Sequence, residues 1–350
     1  MAEPDTVGDP SASETGSTAA SGEPAAQARR QPAPDNPTDL GGGTWLAAAR
    51  RTVREFKDDF LQDRAAALTY YGVLAIFPGI LVLVSLLGLI GRSSTQPLVT
   101  NLTNAVPSSV RTILRNAVSH LQGSHTGAGL LAVVGILLAL WSTSSYVAAF
   151  MRAANAIYDV PEGRPAWKTL PIRLGVTLLL MVLLVASAVI VVVTGGVARH
   201  VGQVLGVGPA AVTTWDIAKW PVLFILVCVM IGVLYWASPN ARQGLRSITP
   251  GAVIAVVIWM IASGLFALYL AYFGHYNKVY GSIAGMIIFL IWLWITNIAI
   301  LLGAEFNAEL ERGRAIAAGV PPGAEPYVEM RDTRKVRRDG GGRRAGKEAT

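Results

Sequence analysis

A series of long apolar stretches constrains this sequence more than any other feature. Residues 283–304, for example, are 22 consecutive residues without a charge. As a helix rising about 1.5 Å per residue they would extend about 33 Å, enough to cross a hydrocarbon core of about 30 Å. The 350-residue chain is 52% hydrophobic and only 15% charged, which is too apolar for a soluble protein of this size. We therefore predict an all-α, polytopic integral membrane protein with six transmembrane helices, at about 65–90, 129–149, 174–198, 220–236, 251–273 and 283–304.

The positions of the basic residues predict the orientation of these spans. Short cytoplasmic loops are enriched in Lys and Arg. Cations are dense before the first span and in the second-to-third and fourth-to-fifth connections, and sparser for their length in the others. Both termini are therefore predicted to be cytoplasmic. The cations on that side are Arg50, Arg51, Arg54, Lys57, Arg64, Arg152, Arg164, Lys168, Arg173, Arg242 and Arg246.

The two ends of the chain have compositions typical of disorder, which leaves 44–312 as the membrane domain. Residues 1–43 contain almost no large apolar residue and lack the apolar core of a cleavable signal peptide. Residues 313–350 are predicted to form a second disordered tail. Its cations fit a contact with anionic membrane lipid better than a nucleic-acid arm, and no nucleic-acid partner is expected. These cations are Arg334, Lys335, Arg337, Arg338, Arg343, Arg344 and Lys347.

Two further segments have the periodicity of amphipathic helices. In residues 45–60, apolar side chains recur at spacings of three and four while the cations lie elsewhere, which predicts an N-terminal helix in the membrane interface. After Pro107, a second stripe predicts an outer helix, either as a lid or against lipid. The stripes are Trp45, Ala49, Val53, Phe56 and Phe60, and Val110, Ile113, Leu114, Ala117, Val118 and Leu121.

Charged and amide side chains of three predicted spans coincide at the cytoplasmic boundary. They form a candidate polar and charged layer of Asp63, Arg64, Arg152, Asn155, Glu305 and Asn307. On the last helix, Glu309 and Arg312 are spaced to pair, which leaves Glu305 for another helix, and Arg152 is the hypothesised partner. The alternatives are that the layer marks the membrane boundary, clamps helices together or binds a substrate.

Uncharged polar side chains lie deeper in the predicted spans. Hydroxyl and amide groups in membrane helices most often bond backbone or a neighbouring helix, for about 0.6–2 kcal/mol each, but they can also line a cavity. Pro78 is expected to kink the first span, and the kink would open a pocket towards the cytoplasm or serve packing alone. The candidate cavity-lining residues are Tyr70, Tyr71, Pro78, Ser142, Ser145 and Asn297.

Four segments of the chain are similar to those of a known family. They read AAALTYYGVLAIFPGILVLVSLLG (65–88), WSTSSYVAAFMRAANAIYDVPEGRPAWK (141–168), SPNARQGLRSITPGA (238–252) and YGSIAGMIIFLIWLWITNIAILLGAEFNAELER (280–312). In this order they resemble the YihY/BrkB family of bacterial inner-membrane proteins, historically labelled ribonuclease BN. The resemblance covers about residues 45–312 and implies a six-span bundle in the bacterial plasma membrane. It implies no mechanism.

The ribonuclease label can be compared with the residues available. Phosphodiester hydrolysis needs either metals held by His and carboxylates or a His-based acid and base. All four histidines fall on the predicted outer side, and the single cysteine, Cys228, lies in an apolar run. No Ser–His pair or paired aspartates occur at mid-span. We therefore predict no catalytic residue, no metal site, no cofactor and no enzymatic activity.

These features favour a protein that transports or accommodates a lipid or amphiphilic envelope molecule. The expected site is a cavity bounded by spans one, two and six, with the charged layer holding a phosphate head group. The alternative is a membrane scaffold that recruits envelope partners through its basic tail and outer helix, and ribonuclease activity ranks third. A homo-oligomer stays open, because small residues can pack helices within or between chains: Gly251, Ala255, Ser263, Gly264 and Ala267.

Overall fold

The protein is a bundle of α-helices. The computed structural model describes residues 41–90, 125–192, 208–273 and 277–336. Within those ranges seven helices follow one another without a named strand, which confirms the all-α prediction. The outer helix predicted after Pro107 lies outside the described residues. The helices are α1 (Gly42–Asp58), α2 (Leu61–Ile90), α3 (His125–Ile157), α4 (Ala166–Val192), α5 (Pro209–Ala237), α6 (Leu245–Phe273) and α7 (Asn277–Ala317).

Four of the described helices are long and apolar enough to cross a membrane. The qualifying segments are Ala166–Val191, Ala210–Ala237, Leu245–Tyr272 and Ala284–Ala317. They overlap the third to sixth predicted spans. α2 and α3, of 30 and 33 residues, occupy the positions of the first two predicted spans, although parts of both lie outside the described side chains. Six crossings and the orientation of the termini stay predictions.

Two helices begin earlier than the apolar stretches indicate. α4 begins at Ala166 rather than at residue 174, and α5 begins at Pro209 rather than at residue 220. In α5, Asp216 and Lys219 interrupt the apolar run. These two side chains form an ion pair of 2.9 Å within the helix, so the charges partner each other and the helix continues through them.

α6 and α7 cross in close contact at two glycines. A Cβ atom on Gly251 would lie 2.2 Å from the Gly303 carbonyl oxygen, so only glycine permits this approach. Asn307 fixes the same crossing. Its Oδ1 accepts a hydrogen bond from the Gly251 N–H at 2.8 Å, and its Nδ2 donates to the Ile248 carbonyl at 3.0 Å. The Gly251 N–H directly follows Pro250, which has no N–H of its own.

α1 forms the predicted N-terminal helix, and part of the predicted apolar stripe packs inward. Trp45 and Ala49 pack beside buried Ala48, and Phe56 packs against the main core. Val53 is 72% exposed, and Phe60, beyond the end of α1, is 65% exposed. The polar Thr52 is buried as well. Arg51 and Glu55 form ion pairs with side chains of α7. They lie on the same face as Ala48 and Thr52, since these positions are three and four residues apart. The pairs therefore turn this face towards α7.

After α7 the chain folds back across one end of the bundle. α7 runs to Ala317, beyond the predicted tail boundary at Gly313. Residues 318–336, which we call the strap, lie against the α3–α4 and α5–α6 connections; for example, the Arg331 N–H donates to the Asn240 carbonyl at 2.9 Å. Such backbone bonds hold a polar segment whose composition alone is typical of disorder. We call this end of the bundle, with its two connections and the strap, the basal end.

Candidate functional site

An apolar cavity of about 640 Å³ lies between the six long helices. Its volume falls in the range of about 300–1,000 Å³ that is common for small-molecule sites. The wall is almost entirely hydrocarbon, and a few polar side chains such as Thr143 and Thr296 interrupt it. Each long helix contributes, as shown by Ile76, Tyr146, Leu184, Met230, Trp259 and Ile300, from α2 to α7 in order. Such a cavity suits an acyl chain.

A hydrogen-bonded chain of three side chains adjoins this cavity. The Tyr146 hydroxyl donates to Asn297 Oδ1 at 2.9 Å, and Asn297 Nδ2 donates to Thr69 Oγ1 at 3.1 Å. Thr69 in turn donates to the Ala65 carbonyl at 2.8 Å. The chain joins α2, α3 and α7 and satisfies both ends of an amide that is 1% exposed. It therefore fixes how these three helices are rotated against one another.

Arg173 lies near the start of α4, on the basal side of the apolar cavity. Its Nη2 donates to Ser144 Oγ at 2.6 Å, its Nε is buried without a hydrogen-bond partner, and Arg152 is close enough to repel it. In the described part of the chain, no carboxylate forms an ion pair with it. Arg173 shares a helix face with Leu180 and Leu184, which line the cavity. Charges at membrane depth are costly and usually functional.

A second cavity, of about 230 Å³, lies at the basal end, and we call it the acidic cavity. Three guanidinium groups lie in or against its wall. Arg312 pairs with Glu55 at 3.3 Å and with Glu309 at 3.4 Å, the latter as the sequence spacing predicted. Arg51 pairs with Glu309, and Arg64 faces Asp59. Seven carboxyl groups line the cavity: Glu55, Asp58, Asp59, Asp159, Glu305, Glu309 and Glu325. Carboxyl groups thus outnumber cations.

Glu305 is the most deeply buried carboxyl group of the acidic cavity. It is 2% exposed, and its Oε2 has no hydrogen-bond partner within the described ranges. The charged groups that act on it are acidic, Asp59 above all. The hypothesised pair with Arg152 is not formed, because the Arg152 side chain is exposed and lies near Arg173. The sequence places both residues at one depth without determining which neighbour each helix face meets.

The acidic surroundings change the ionisation of the carboxyl groups outside the spans. Burial, together with the carboxylates of Glu325, Asp59 and Glu55 and against the opposing effect of Arg312, raises the pKa of Asp159 to about 6. Burial also raises the pKa of Asp59 and the pKa of Glu55. The acidic cavity therefore holds protons at higher pH than isolated carboxylates do.

Arg164 joins the two basal connections. It is 3% exposed and donates to both carboxylate oxygens of Glu162 at 2.7 Å, and to the Ala237 carbonyl at 3.3 Å. Asn155 extends this network, since its Nδ2 donates to Glu162 at 3.0 Å and its Oδ1 accepts from the Asn240 N–H at 2.7 Å. These bonds satisfy Asn155 within the protein.

The predicted polar and charged layer does not converge on one ligand site. Glu305 is its only member in the wall of the acidic cavity. The others lie elsewhere: Asn155 and Asn307 in contacts with backbone, Arg64 at the Asp59 carbonyl, and Asp63 and Arg152 exposed.

The predicted cavity-lining residues also separate. Asn297 belongs to the hydrogen-bonded chain beside the apolar cavity. The remaining positions differ: Ser142 is half-buried, Ser145 donates to the Trp141 carbonyl of its own helix, Tyr70 is 62% exposed, Tyr71 packs against the core, and the Pro78 side chain lies outside the described residues.

Three features of these sites were not predicted from the sequence. Tyr146 lies in the quoted WSTSSY motif, four residues after Ser142, and its position in the motif could have identified it. Arg173 was counted as a connection cation, although Pro165 just before Ala166 is a signal for a helix start two turns earlier. The acidic cavity has no sequence signal, because its carboxyl groups come from four separate segments.

Comparison with known proteins shows the family of the chain. The sequence matches the family described as Virulence factor BrkB over residues 52–326. The ribonuclease-like protein YfkH of Bacillus subtilis (strain 168) is 29% identical over 266 residues, which cover 76% of this chain and 94% of that protein. UPF0761 membrane proteins of Alkalilimnicola ehrlichii and Chromohalobacter salexigens are 29% and 30% identical, over 77% of this chain and 60% and 66% of their own lengths. The chain thus spans less than two thirds of these two relatives. No solved structure matches it.

Long apolar helices around a common cavity define a polytopic helical membrane protein. Within that class, the chain belongs to the Virulence factor BrkB family, as the four quoted segments predicted. One relative has the word ribonuclease in its name, but the described residues form no metal site that would correspond to that name. Within the described ranges no three His, Cys, Asp or Glu side chains are arranged to hold a metal ion. His120, His200 and His275 lie outside those ranges, and of His125, the first residue of α3, only the backbone is described.

Proposed function

We propose that the protein accommodates, and moves within the membrane, an amphiphile with an acyl chain and an anionic head group. The observation that carries this proposal is the apolar cavity of about 640 Å³. Its hydrocarbon wall offers an acyl chain the environment of a bilayer, so little free energy separates the two locations. Membership of a membrane protein family is consistent with a lipid ligand.

The head group is assigned to the basal side of this cavity, at Arg173. The Arg173 guanidinium keeps free donors, carries no carboxylate partner in the described chain, and lies beside Arg152. Guanidinium groups bind phosphate oxygens through paired, charge-assisted hydrogen bonds. The layer around Glu305, by contrast, is acidic and would repel an anion. The head group is therefore expected at Arg173 and Arg152 rather than at the layer that contains Glu305.

Filling the apolar cavity tests the proposal directly. Ala188→Phe adds a ring at the cavity wall on α4, whereas Val182→Phe adds the same ring on an exposed face of the same helix. Native mass spectrometry of protein released gently from its own membrane measures the retained lipid. We expect Ala188→Phe to lose most of the lipid that the wild type and Val182→Phe retain. Equal lipid in all three proteins would contradict the proposal.

The head-group assignment has its own test. Arg173→Gln keeps a hydrogen-bond donor for Ser144 but removes the charge. In nanodiscs of mixed phosphatidylglycerol and phosphatidylcholine, we expect the wild type to retain the anionic lipid preferentially, and Arg173→Gln to lose this preference about tenfold. Arg242→Gln is the matched control, because Arg242 is exposed at the same basal end. An unchanged preference in Arg173→Gln would exclude Arg173 as the head-group site.

We also propose that the basal end faces the cytoplasm of the bacterium, with the protein in its plasma membrane. The connections at this end carry Arg164 and Arg242, and the first turn of α4 carries Lys168, in agreement with the positive-inside rule. Glu329→Cys in a Cys228→Ser background places one exposed thiol on the strap. An impermeant maleimide should label it only after the cells are permeabilised. Labelling of intact cells would reverse the orientation.

The scaffold alternative depends on the basic tail and the outer helix. The strap now belongs to the folded bundle, so the tail must be tested by deleting residues 337–350 alone. We expect this deletion to weaken binding to vesicles that contain anionic lipid, through loss of Arg337, Arg338 and their neighbours, and to leave the lipid retained in the apolar cavity unchanged. Loss of cavity lipid on this deletion would favour the tail as the lipid-binding element.

A further inference from the structure

The acidic cavity has an excess of negative charge that the protein leaves unbalanced. It is enclosed by the ends of α1 and α3, by α7 and by the strap, and seven carboxyl groups face three guanidinium groups there. Two of those guanidinium groups, of Arg51 and Arg312, are already engaged with Glu309. Arg312 also pairs with Glu55, and Arg64 acts on Asp59, so the seven carboxyl groups share three guanidinium groups and remain in excess.

Glu305 shows that this charge is directed into the cavity. The side chain is 2% exposed, lines the cavity and leaves Oε2 without a hydrogen-bond partner in the described chain. Asp59, from the turn after α1, shares a side-chain hydrogen bond with Glu305. This bond satisfies part of the carboxyl group, whereas the buried Oε2 is left without a partner at a cost in free energy. An ammonium group in the cavity could donate a hydrogen bond to this oxygen and offset the charge of the acidic neighbours.

We propose that the acidic cavity binds an organic cation with ammonium groups, a linear diamine or polyamine. The volume of about 230 Å³ equals that of roughly seven or eight water molecules, more than a dehydrated metal ion fills. Within the described ranges, moreover, no three acidic side chains converge at metal-ligand distance. Ammonium groups accept looser geometry, because each has three rotatable donors. Two of them joined by methylene groups could reach both Glu305 and the outer carboxylate of Asp58.

The walls of the acidic cavity fit this ligand beyond their charge. Ile157 and Ala308 supply apolar surface for methylene groups, and Tyr158 supplies an aromatic ring, a favourable neighbour for an ammonium group. Glu325 and Val328 of the strap close the cavity on one side. A bound diamine would therefore reduce repulsion between the strap and the helices and stabilise the strap in place. This site is independent of the proposed amphiphile site.

Isothermal titration calorimetry with spermidine tests the proposal, on full-length protein in detergent at pH 7.5 and constant ionic strength. We expect saturable binding of one spermidine, at least about tenfold weaker in Glu305→Gln. Glu329→Gln, which removes an exposed carboxylate of the strap outside the cavity, should bind as the wild type does, within about twofold. Asp58→Asn serves as a second variant, because Asp58 is exposed, lines the cavity and is unneeded for packing; it should also weaken binding.

Three results would overturn the proposal. Absence of spermidine binding to the wild type would mean that protons alone neutralise the carboxyl groups of the cavity. Equal binding to the wild type, Glu305→Gln and Asp58→Asn would place the ligand elsewhere. Magnesium binding that is weakened by Glu305→Gln to the same degree as spermidine binding would assign the site to a metal ion. In that case MgCl₂ should also displace spermidine at an equal concentration of positive charge. Because none of these measurements involves the apolar cavity, each outcome leaves the amphiphile proposal standing.

Discussion

Asn297 illustrates how one polar side chain organises an apolar bundle. Its amide accepts from Tyr146 on α3 and donates to Thr69 on α2, while the residue itself lies on α7. Dispersion packing alone tolerates small rotations of a membrane helix, but two directed hydrogen bonds do not. The amide therefore specifies one arrangement of three helices beside the apolar cavity.

Removal of the Tyr146 hydroxyl should measure this contribution. Tyr146→Phe keeps the ring in the cavity wall but leaves Asn297 Oδ1 without its donor. Interhelical hydrogen bonds in membranes contribute about 0.6–1.7 kcal/mol, so we expect a loss of that size in the free energy of unfolding, measured by denaturant titration in detergent. Ser145→Ala is the control, since its hydroxyl bonds only its own helix. A loss equal to the control's would mean that the interhelical bond contributes nothing.

Asp159 should give the stability of the basal end a dependence on pH. The pKa of an aspartate in an unfolded chain is about 4, whereas that of Asp159 in the folded protein is about 6. The folded state thus holds this proton more tightly, so its stabilising effect is complete below about pH 4 and is lost as the pH rises through 6. The groups responsible are Glu325, Asp59 and Glu55, against Arg312.

Asp159→Asn is therefore expected to raise the Tm at pH 7.5, by about 1–3 °C after allowance for solvent screening. The advantage should shrink at pH 5. Asn also tolerates the φ of 52° found at this position. Differential scanning fluorimetry across this range makes the measurement, with Glu329→Gln as a carboxylate variant outside the cavity. A Tm difference that does not change with pH would show that Asp159 is not the titrating group.

At the residue scale, the sequence predicted the depth of a side chain in the membrane better than the side chains that it contacts. The depth of Asn297 and the Glu309–Arg312 pair follow from counting along one helix. The partner of Glu305 could not be obtained in this way, because it depends on how α7 is rotated against α1, and nothing in either segment alone determines that angle. Arg152 was therefore a reasonable candidate by depth, yet Asp59 lies next to Glu305.

At the element scale, the length of the apolar runs predicts the long helices, but it does not predict the residues at which they begin and end. Charges end an apolar run in the sequence, but Asp216 and Lys219 neutralise each other within α5 and the helix continues. α1 shows a related limit: its periodicity predicts a helix and part of its packed face, but not the ion pairs that hold the helix against α7. Intrahelical patterns define elements, and contacts between elements define their boundaries and faces.

The crossing of α6 and α7 gives a prediction at the same scale. Gly251→Ala places a Cβ atom 2.2 Å from the Gly303 oxygen and 2.4 Å from Asn307, so backbone must move. Overpacking of this kind costs about 1–3 kcal/mol, and we expect a corresponding loss of Tm in detergent. Gly264→Ala, in the same helix, meets nothing within 4 Å and should be neutral or stabilising, because Ala favours helix. Equal effects at both sites would contradict the close crossing.

At the scale of the whole molecule, the strap is part of the fold. Arg331 Nη2 donates to the Trp236 carbonyl and Nε to the Ala241 carbonyl, each at 2.6 Å, and Lys168 pairs with Asp332 at 2.6 Å. We expect a chain that stops after Ala317 to lose roughly 5 °C or more in Tm, because several bonds of about 1 kcal/mol each are lost together. A chain that stops after Val336 should melt as the full-length protein does. Equal melting of the two truncations would mean that the strap contributes nothing.

The arrangement of the strap also determines when the protein can be completed during synthesis. Gly163 and Asn240 lie in connections made well before residues 331–335, yet their backbone and side-chain groups bond to that last segment. The two connections therefore lack these partners until the strap has been synthesised, after all six long helices. A chain that stopped before the strap would keep the acidic cavity open on the side that Glu325 and Val328 line.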